Sequence, residues 1–129
     1  MAEAALKRIP IDSRQRWNDT GVDVVKGVLY DVTVTGQWCD AKEPCGPEGW
    51  PGNRFINLFT LLRRARQFRW AALVGSVDQR KPYVHVMPGV IKAPATGRLF
   101  CFFNDARGFY WNNSGKLVIT INGIPEDRP

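Results

Sequence analysis

Short stretches of alternating apolar and polar residues, separated by prolines and glycines, most constrain the fold of this 129-residue chain. Alternation places every second side chain on one face of a β-strand, so each stretch predicts a strand with one buried face. The predicted strands cover residues 9–11, 22–25, 28–36, 70–77, 83–87, 99–104 and 116–122. Several short strands with such connections favour an all-β fold, a β-sandwich forming a single domain over residues 1–129.

The segments between these strands carry their own signals. Pro10 limits the first strand and suits the edge of a sheet, because proline cannot donate a backbone hydrogen bond. Asp19-Thr20-Gly21 is typical of a turn, and three prolines with three glycines predict a loop over residues 41–53. Leucine spacing within residues 55–68 is compatible with one short helix. Trp17, Trp38 and Trp70 are expected in the core or at strand ends.

Composition excludes several classes of protein. No apolar run approaches the roughly 18 residues that a membrane-spanning helix needs. The first residues lack the apolar core and cleavage site of a secretory signal, so we expect cytoplasmic synthesis, with any release using no classical signal peptide. No paired carboxylates, Ser–His arrangement or phosphate-binding loop is evident, and a non-enzyme is expected. The single histidine, His85, lies in an alternating run and predicts a strand residue rather than a catalytic base or zinc ligand.

The three cysteines are Cys39, Cys45 and Cys101. Cys101 lies in an apolar run and is expected to be a small buried residue. Cys39 and Cys45 are close enough in sequence to bridge a short loop in an oxidising compartment. The sequence leaves open whether they do.

The formal charge of +6 and the pI near 9.6 raise the question of acidic partners. The main basic cluster contains Arg63, Arg64, Arg66 and Arg69, interleaved with aromatic residues. An RNA- or DNA-binding face can use such a pattern. A solvated loop entering a strand is the preferred interpretation, since no known nucleic-acid motif accompanies the cluster. Nucleic acid is therefore not the expected partner.

A polar loop between the last two predicted strands concentrates oxygen atoms. It holds the carboxylate of Asp105, the hydroxyl of Ser114 and the amides of Asn104, Asn112 and Asn113. Hard oxygen donors of this kind, with glycines that let carbonyls turn inward, are what a calcium ion requires. The alternative is ordinary turn chemistry, because asparagine and glycine tolerate positive φ.

Several stretches together carry a resemblance to a known family. Asn104-Asp105 is followed after six residues by Asn112-Asn113-Ser114-Gly115, and upstream lie Gly36-Gln37-Trp38, Gly46-Pro47-Glu48-Gly49 and the strand at 70–75. Over roughly residues 22–123 the chain resembles the PA-I galactophilic lectins, calcium-dependent galactose-binding proteins of bacteria. The resemblance implies a jelly-roll-like, galactose-binding-domain-like β-sandwich with at most one short helix.

The resemblance also implies a set of ligands for a Ca²⁺ ion. By position, Asp105, Asn112 and Asn113 supply side-chain oxygens. Phe109 supplies a backbone carbonyl, and a second carbonyl comes from Ala41 or, as the next alignment, Asp40. Vicinal hydroxyls of a galactose-like sugar complete the shell, which places the sugar against Asp105, Asn112 and Ala41.

The residues that select the sugar depart from the family pattern. The family's Gly-Pro-Gln-Gly is here Gly46-Pro47-Glu48-Gly49, and Trp50-Pro51-Gly52-Asn53 replaces the His-Pro-x-Gln that follows. Trp50 is expected to stack on the pyranose and Asn53 to bind a hydroxyl, with Pro51 between them. Ala41 carries no ring where the galactose binder has tyrosine.

Two functions are compatible with this reading. The first is non-catalytic, calcium-dependent binding of galactose-like glycans by a homo-oligomer, a dimer or tetramer that gains avidity. The second is a β-sandwich interaction module that has lost the sugar and binds acidic partners or nucleic acid through residues 63–69.

Overall fold

The computed structural model describes residues 8–40, 43–52, 57, 62–105 and 113–124. Within these ranges nine β-strands form two antiparallel sheets. The strands are β1 (Ile9–Asp12), β2 (Asn18–Val24), β3 (Leu29–Asp40), β4 (Glu43–Cys45), β5 (Leu73–Val77), β6 (Arg80–His85), β7 (Gly89–Lys92), β8 (Gly97–Phe103) and β9 (Asn113–Gly123). The predicted β-sandwich is confirmed.

The first sheet has the strand order β1-β9-β3-β4, and β7 also pairs with β3. Its central ladder joins the two longest strands, with Tyr30 opposite Gly123 and Asp40 opposite Asn113. Consequently the end of β3 and the beginning of β9 lie side by side. Any site formed by the loops that leave these strands is therefore held by the longest ladder in the sheet.

The second sheet has the order β2-β8-β5-β6. Phe103 at the end of β8 is opposite Leu73 at the beginning of β5. The β2–β8 ladder shifts register between Asp19 and Asp23. The sequence predicted a turn at Asp19-Thr20-Gly21, but in the structure these residues form a bulge inside β2.

The main core lies between the two sheets. Fully buried contributions include Ile119 and Leu117 from β9, Leu73 from β5 and Leu99 from β8, with Trp38 from β3. Burying a large aliphatic or aromatic side chain contributes about 1.5–3 kcal/mol each. The inward positions of β3 and β9 alternate with exposed ones, as their sequence pattern predicts.

A second, smaller cluster covers the outer face of the β2-β8-β5-β6 sheet. Its buried members are Ala65, Ala72, Val74 and Phe102. The chain between residues 62 and 72 supplies part of this cover, so β5 and the end of β8 are buried on both faces. This explains why residues 99–103 read as a nearly continuous apolar run instead of an alternating one.

The structure corrects several boundaries. Residues 70–72 precede β5, with Trp70 in an isolated β-bridge to Trp50 and Ala71 in a turn, and the segment predicted as an uninterrupted loop at 41–53 contains β4. β7 was not predicted, because its four residues are flanked by prolines and begin with glycine. Asn57 is helical and Leu62 lies in a 3-10 turn, whereas residues 64–68 form turns and bends, so the predicted helix does not extend to residue 68. The other residues of that predicted segment before Leu62 lie outside the described residues.

Cys39 and Cys45 are both free thiols, so the possible bridge between them is not formed. Trp38 is the register partner of Cys45, whereas Cys39 is opposite Pro44. Register partners share a face of the sheet and successive residues alternate. Cys45 therefore lies on the buried face with Trp38, and Cys39 lies on the opposite face.

Cys101 is fully buried, as predicted, and its burial raises the pKa of its thiol to about 12. The folded protein therefore keeps this proton at a pH where the unfolded chain loses it. Above the ordinary thiol pKa we expect the free energy of unfolding to fall by up to about 1.4 kcal/mol per pH unit from this group. Urea denaturation between pH 8 and pH 10.5 should show a steeper decline for the native chain than for Cys101→Ala. Parallel profiles would contradict this expectation.

Prolines lie in three strands at sheet edges: Pro10 in β1, Pro44 in β4 and Pro82 in β6. An edge strand tolerates proline because one side of its backbone needs no partner. The prediction that Pro10 marks an edge is confirmed. No helix among the described residues is long and apolar enough to cross a membrane.

Candidate functional site

One end of the sandwich brings together the strand ends that carry the predicted metal ligands. Trp38 of β3 packs edge-to-face against Phe103 of β8, with ring centroids 4.8 Å apart. The indole Nε1 of Trp38 also donates a hydrogen bond to the carbonyl of Ala71 at 2.9 Å. Asp40 and Asp105 each follow this buried pair by two residues. They therefore lie at the same end of the molecule, above a rigid aromatic base.

Asn104 fixes one side of this end. Its side chain is fully buried. The Oδ1 atom accepts a hydrogen bond from the Ala65 amide at 2.9 Å, and Nδ2 donates to the carbonyls of Ala65, Phe68 and Arg69 at 2.8–3.1 Å. Asn104 is thus a structural residue that anchors the segment before β5. It was recognised in the sequence as one oxygen donor of the loop, but its partners some 35 residues away leave no local signal.

Asp105 and Asn113 are the two predicted side-chain ligands within the described residues. Both are 3% exposed. The backbone carbonyl of Asp105 accepts a hydrogen bond from the Arg64 amide at 3.1 Å. The carboxylate is therefore held close to the segment that Asn104 anchors.

Asn113 is oriented by its amide nitrogen. Nδ2 donates to the carbonyl of Ser13 at 3.0 Å, while Oδ1 is buried and has no hydrogen-bond partner among the described residues. A buried acceptor without a donor costs about 1–3 kcal/mol, so native proteins rarely leave one unpaired. This oxygen is suited to a cation or to a ligand hydroxyl.

Of the other predicted metal ligands, the structure describes only Asp40. Asp40 is the register partner of Asn113, so the strand end predicted to supply a carbonyl lies directly beside that side chain. Ala41, Phe109 and Asn112 lie outside the described residues. Within the described ranges, no three His, Cys, Asp or Glu side chains are grouped to hold a metal. The predicted set is of another type, with one carboxylate, two amides and backbone carbonyls.

The predicted sugar-binding stretch lies on the start of β5. The Pro47 carbonyl accepts the Leu73 amide at 2.9 Å, and the Trp50 amide donates to Trp70 O at 2.8 Å. The Trp50 side chain is half-buried and packs against the main core, and Pro51 is exposed. Asn53 lies outside the described residues. The stretch therefore begins at the same end of the sandwich as Asp105.

His85 lies in β6, as predicted for a strand histidine. Its Nε2 atom is 2.9 Å from the carbonyl oxygen of Pro47, and its ring packs against Phe68 at 5.2 Å. The histidine therefore links β6 to the Gly-Pro-Glu-Gly stretch.

The basic segment is only partly a solvated loop. The guanidinium of Arg64 lies 3.7 Å from the ring centroid of Phe102 and donates to the carbonyl of Arg16 at 2.6 Å. Arg63 lies over Trp70 at 5.1 Å, and burial lowers the pKa of its guanidinium. These two arginines hold the segment on the sheet. Arg66 and Arg69 are exposed, as the solvated interpretation predicts.

No protein-family model matches the chain, and no curated protein sequence matches it. Among solved structures, the chain is similar to "EclA N-terminal domain; PllA-like lectin". The TM-score is 0.64 at 17% identity, covering 91% of this chain and 95% of that one. The chain therefore shares the β-sandwich fold of a PllA-like lectin domain along nearly its whole length.

Proposed function

We propose that this protein is a lectin that binds a galactose-like saccharide through a calcium ion at the end of the sandwich. Asp105, Asn112 and Asn113 would hold the ion with their side chains, and Phe109 and Ala41 with their carbonyls. The observation that carries the proposal is the buried Oδ1 of Asn113, which has no donor among the described residues. The lectin named in the structural comparison supports a carbohydrate as the ligand.

The chemistry of these residues fits calcium. Calcium takes six to eight oxygen ligands and accepts carboxylates, amide oxygens and backbone carbonyls together. When bound, the ion supplies the positive charge that orients a pair of sugar hydroxyls. Nδ2 of Asn113 is already committed to Ser13, which leaves the amide oxygen for the ion. The proposed activity is binding without bond breaking.

The remaining residues of the site would select the sugar. In this proposal the half-buried ring of Trp50 would pack against the C–H groups of a pyranose. Pro51 and Asn53 follow it directly in the chain. A single shallow site binds weakly, so a homo-oligomer, a dimer or tetramer, would increase the affinity for clustered glycans.

Calcium titration tests the ion. A metal that binds only the folded state stabilises it, so we expect the melting temperature to rise with calcium. At a calcium concentration a hundredfold above Kd, the free energy of unfolding should increase by about 2.7 kcal/mol. Asp105→Asn keeps the shape of the side chain but removes its charge, and should abolish the rise. Asp31→Asn removes an exposed carboxylate on β3 and is the matched control. An unchanged melting temperature of the native chain at millimolar calcium would contradict the proposal.

Calorimetry with a galactoside tests the sugar. Binding should require calcium and disappear with a chelator, and it should be absent in Asp105→Asn and retained in Asp31→Asn. Galactoside binding that survives the chelator would place the sugar elsewhere.

A further inference from the structure

A cleft of about 290 Å³ lies on the outer side of the β2-β8-β5-β6 sheet, between the basic segment and the beginning of β6. Its lining consists of Arg64, Arg66, Gln67, Lys81, Pro82 and Tyr83. Three of these six residues are cations and none is acidic. Cations from two separate parts of the chain thus converge on one cleft.

The walls of the cleft are held from below. Asn104 anchors the backbone of the basic segment, and Arg64 packs on Phe102. On the other side, Tyr83 packs edge-to-face against the same phenylalanine, with ring centroids 5.4 Å apart. Phe102 is therefore a common base for both walls. A preorganised cleft of this kind avoids part of the ordering cost of binding.

The exposed cations of the cleft are available to a ligand. Arg66 and Lys81 are exposed, and neither forms an ion pair with another residue in the part of the chain that the structure describes. A planar guanidinium binds two oxygens of one oxyanion, and the lysine ammonium adds a mobile point charge. Gln67 and Tyr83 add neutral hydrogen-bonding groups. This combination fits a sulfate or carboxylate group on a polar ligand.

We propose that this cleft is a second binding site, for the anionic group of a sulfated or carboxylated saccharide. It rests on the proposed carbohydrate-binding function, but it uses no residue of the calcium site and no metal. The volume lies at the lower end of small-ligand sites, which suits one charged sugar unit. The saccharide would dock against Tyr83 with its anionic group between Arg66 and Lys81.

The aromatic residues of this face argue against a nucleic acid. Binding of single strands relies on exposed rings on which bases stack. Here Arg64 covers both Trp17, at 4.5 Å from its centroid, and Phe102. Phe68 is occupied by the ring of His85. These three rings are therefore in contact with other side chains of the protein, whereas the cations line the cleft.

Calorimetry in the presence of a chelator tests the proposal. A trisulfated heparin disaccharide should bind, and a neutral disaccharide that carries neither sulfate nor carboxylate should not. The double variant Arg66→Gln/Lys81→Gln should weaken binding about 100-fold, because two charge-assisted hydrogen bonds are lost. The double variant Arg14→Gln/Lys92→Gln removes the same charge from exposed positions elsewhere and should change affinity by less than about twofold.

Each other outcome overturns the proposal. No binding of the sulfated disaccharide would refute the site, and equal weakening in both double variants would reduce the effect to net charge. Binding that appears only with calcium in place of the chelator would assign the ligand to the calcium site. Tighter binding of a single-stranded RNA of equal charge, lost in Arg66→Gln/Lys81→Gln, would make the cleft a nucleic-acid site. A negative result in the galactoside experiment would refute the calcium site and would not change the outcomes expected here. The two proposals can therefore be refuted independently.

Discussion

Replacement of Asn104 by alanine should lower the free energy of unfolding by at least about 3 kcal/mol, because four hydrogen bonds of a fully buried side chain are lost together. The amide of Ala65 loses its acceptor, the carbonyls of Ala65, Phe68 and Arg69 each lose one donor, and a cavity remains. In a domain of this size such a loss corresponds to a fall of roughly 10 °C in melting temperature. Thermal and urea denaturation both measure it.

The control for Asn104 is Asn122→Ala, which removes the same side chain from an exposed position on β9. We expect this variant to lie within about 0.5 kcal/mol of the native chain. Amide hydrogen exchange at Ala65 should accelerate in Asn104→Ala and stay unchanged in the control. If the urea midpoint of Asn104→Ala equalled that of the native chain, the anchoring role of this residue would be refuted.

Replacement of Gly49 by alanine should also be severe, at a cost of at least about 3 kcal/mol. Gly49 has a φ of +79°. An added Cβ would overlap the carbonyl oxygen of Trp70 and lie 2.7 Å from the amide nitrogen of Ala72. These are backbone atoms and cannot rotate away. We expect the Gly-Pro-Glu-Gly stretch to leave β5, with loss of the backbone bonds at Pro47 and Trp50.

Gly27 offers a matched control for this substitution. Its φ of +83° is nearly the same, but no atom lies within 4 Å of an added Cβ. Gly27→Ala therefore reports the conformational strain alone, about 1 kcal/mol. The difference in urea midpoint between the two variants measures the close approach of Gly49 to β5. Equal destabilisation would show that this approach contributes nothing.

The sequence predicted the sandwich because its longest strands have one buried face each. In β3 and β9 most inward positions are more buried than their neighbours in the chain, so period and burial largely agree. β4 and β7 were missed because strand pairing overrode local proline and glycine signals. The predicted helix was extended too far, through residues 64–68, for a related reason. The apolar spacing there serves packing on the outer face of the second sheet, where turns present Ala65 and Phe68.

The candidate site could be predicted only in its chemistry. Side chains with several oxygen atoms at the end of a strand indicate a cation site, whatever the conformation of the loop that follows. This reasoning identified Asp105 and Asn113 as candidate ligands. Their burial, and the position of Asp40 beside Asn113, depend on the pairing of β3 with β9. The contacts of Asn104 and Arg64 could not be predicted, because both side chains bind segments that are distant in sequence. The basic cleft depends on the same long-range packing, which brings Lys81 to Arg66.

The prolines of β1, β4 and β6 have a consequence for how copies of this protein can meet. A strand of a second molecule that paired with any of these three edges would lack one backbone N–H donor, because proline has none. Extension of a sheet across these three edges, and fibres that would grow from them, are thereby disfavoured. At these edges a contact between copies would use the flat sides of the sandwich and its loops, which can join without extending either sheet.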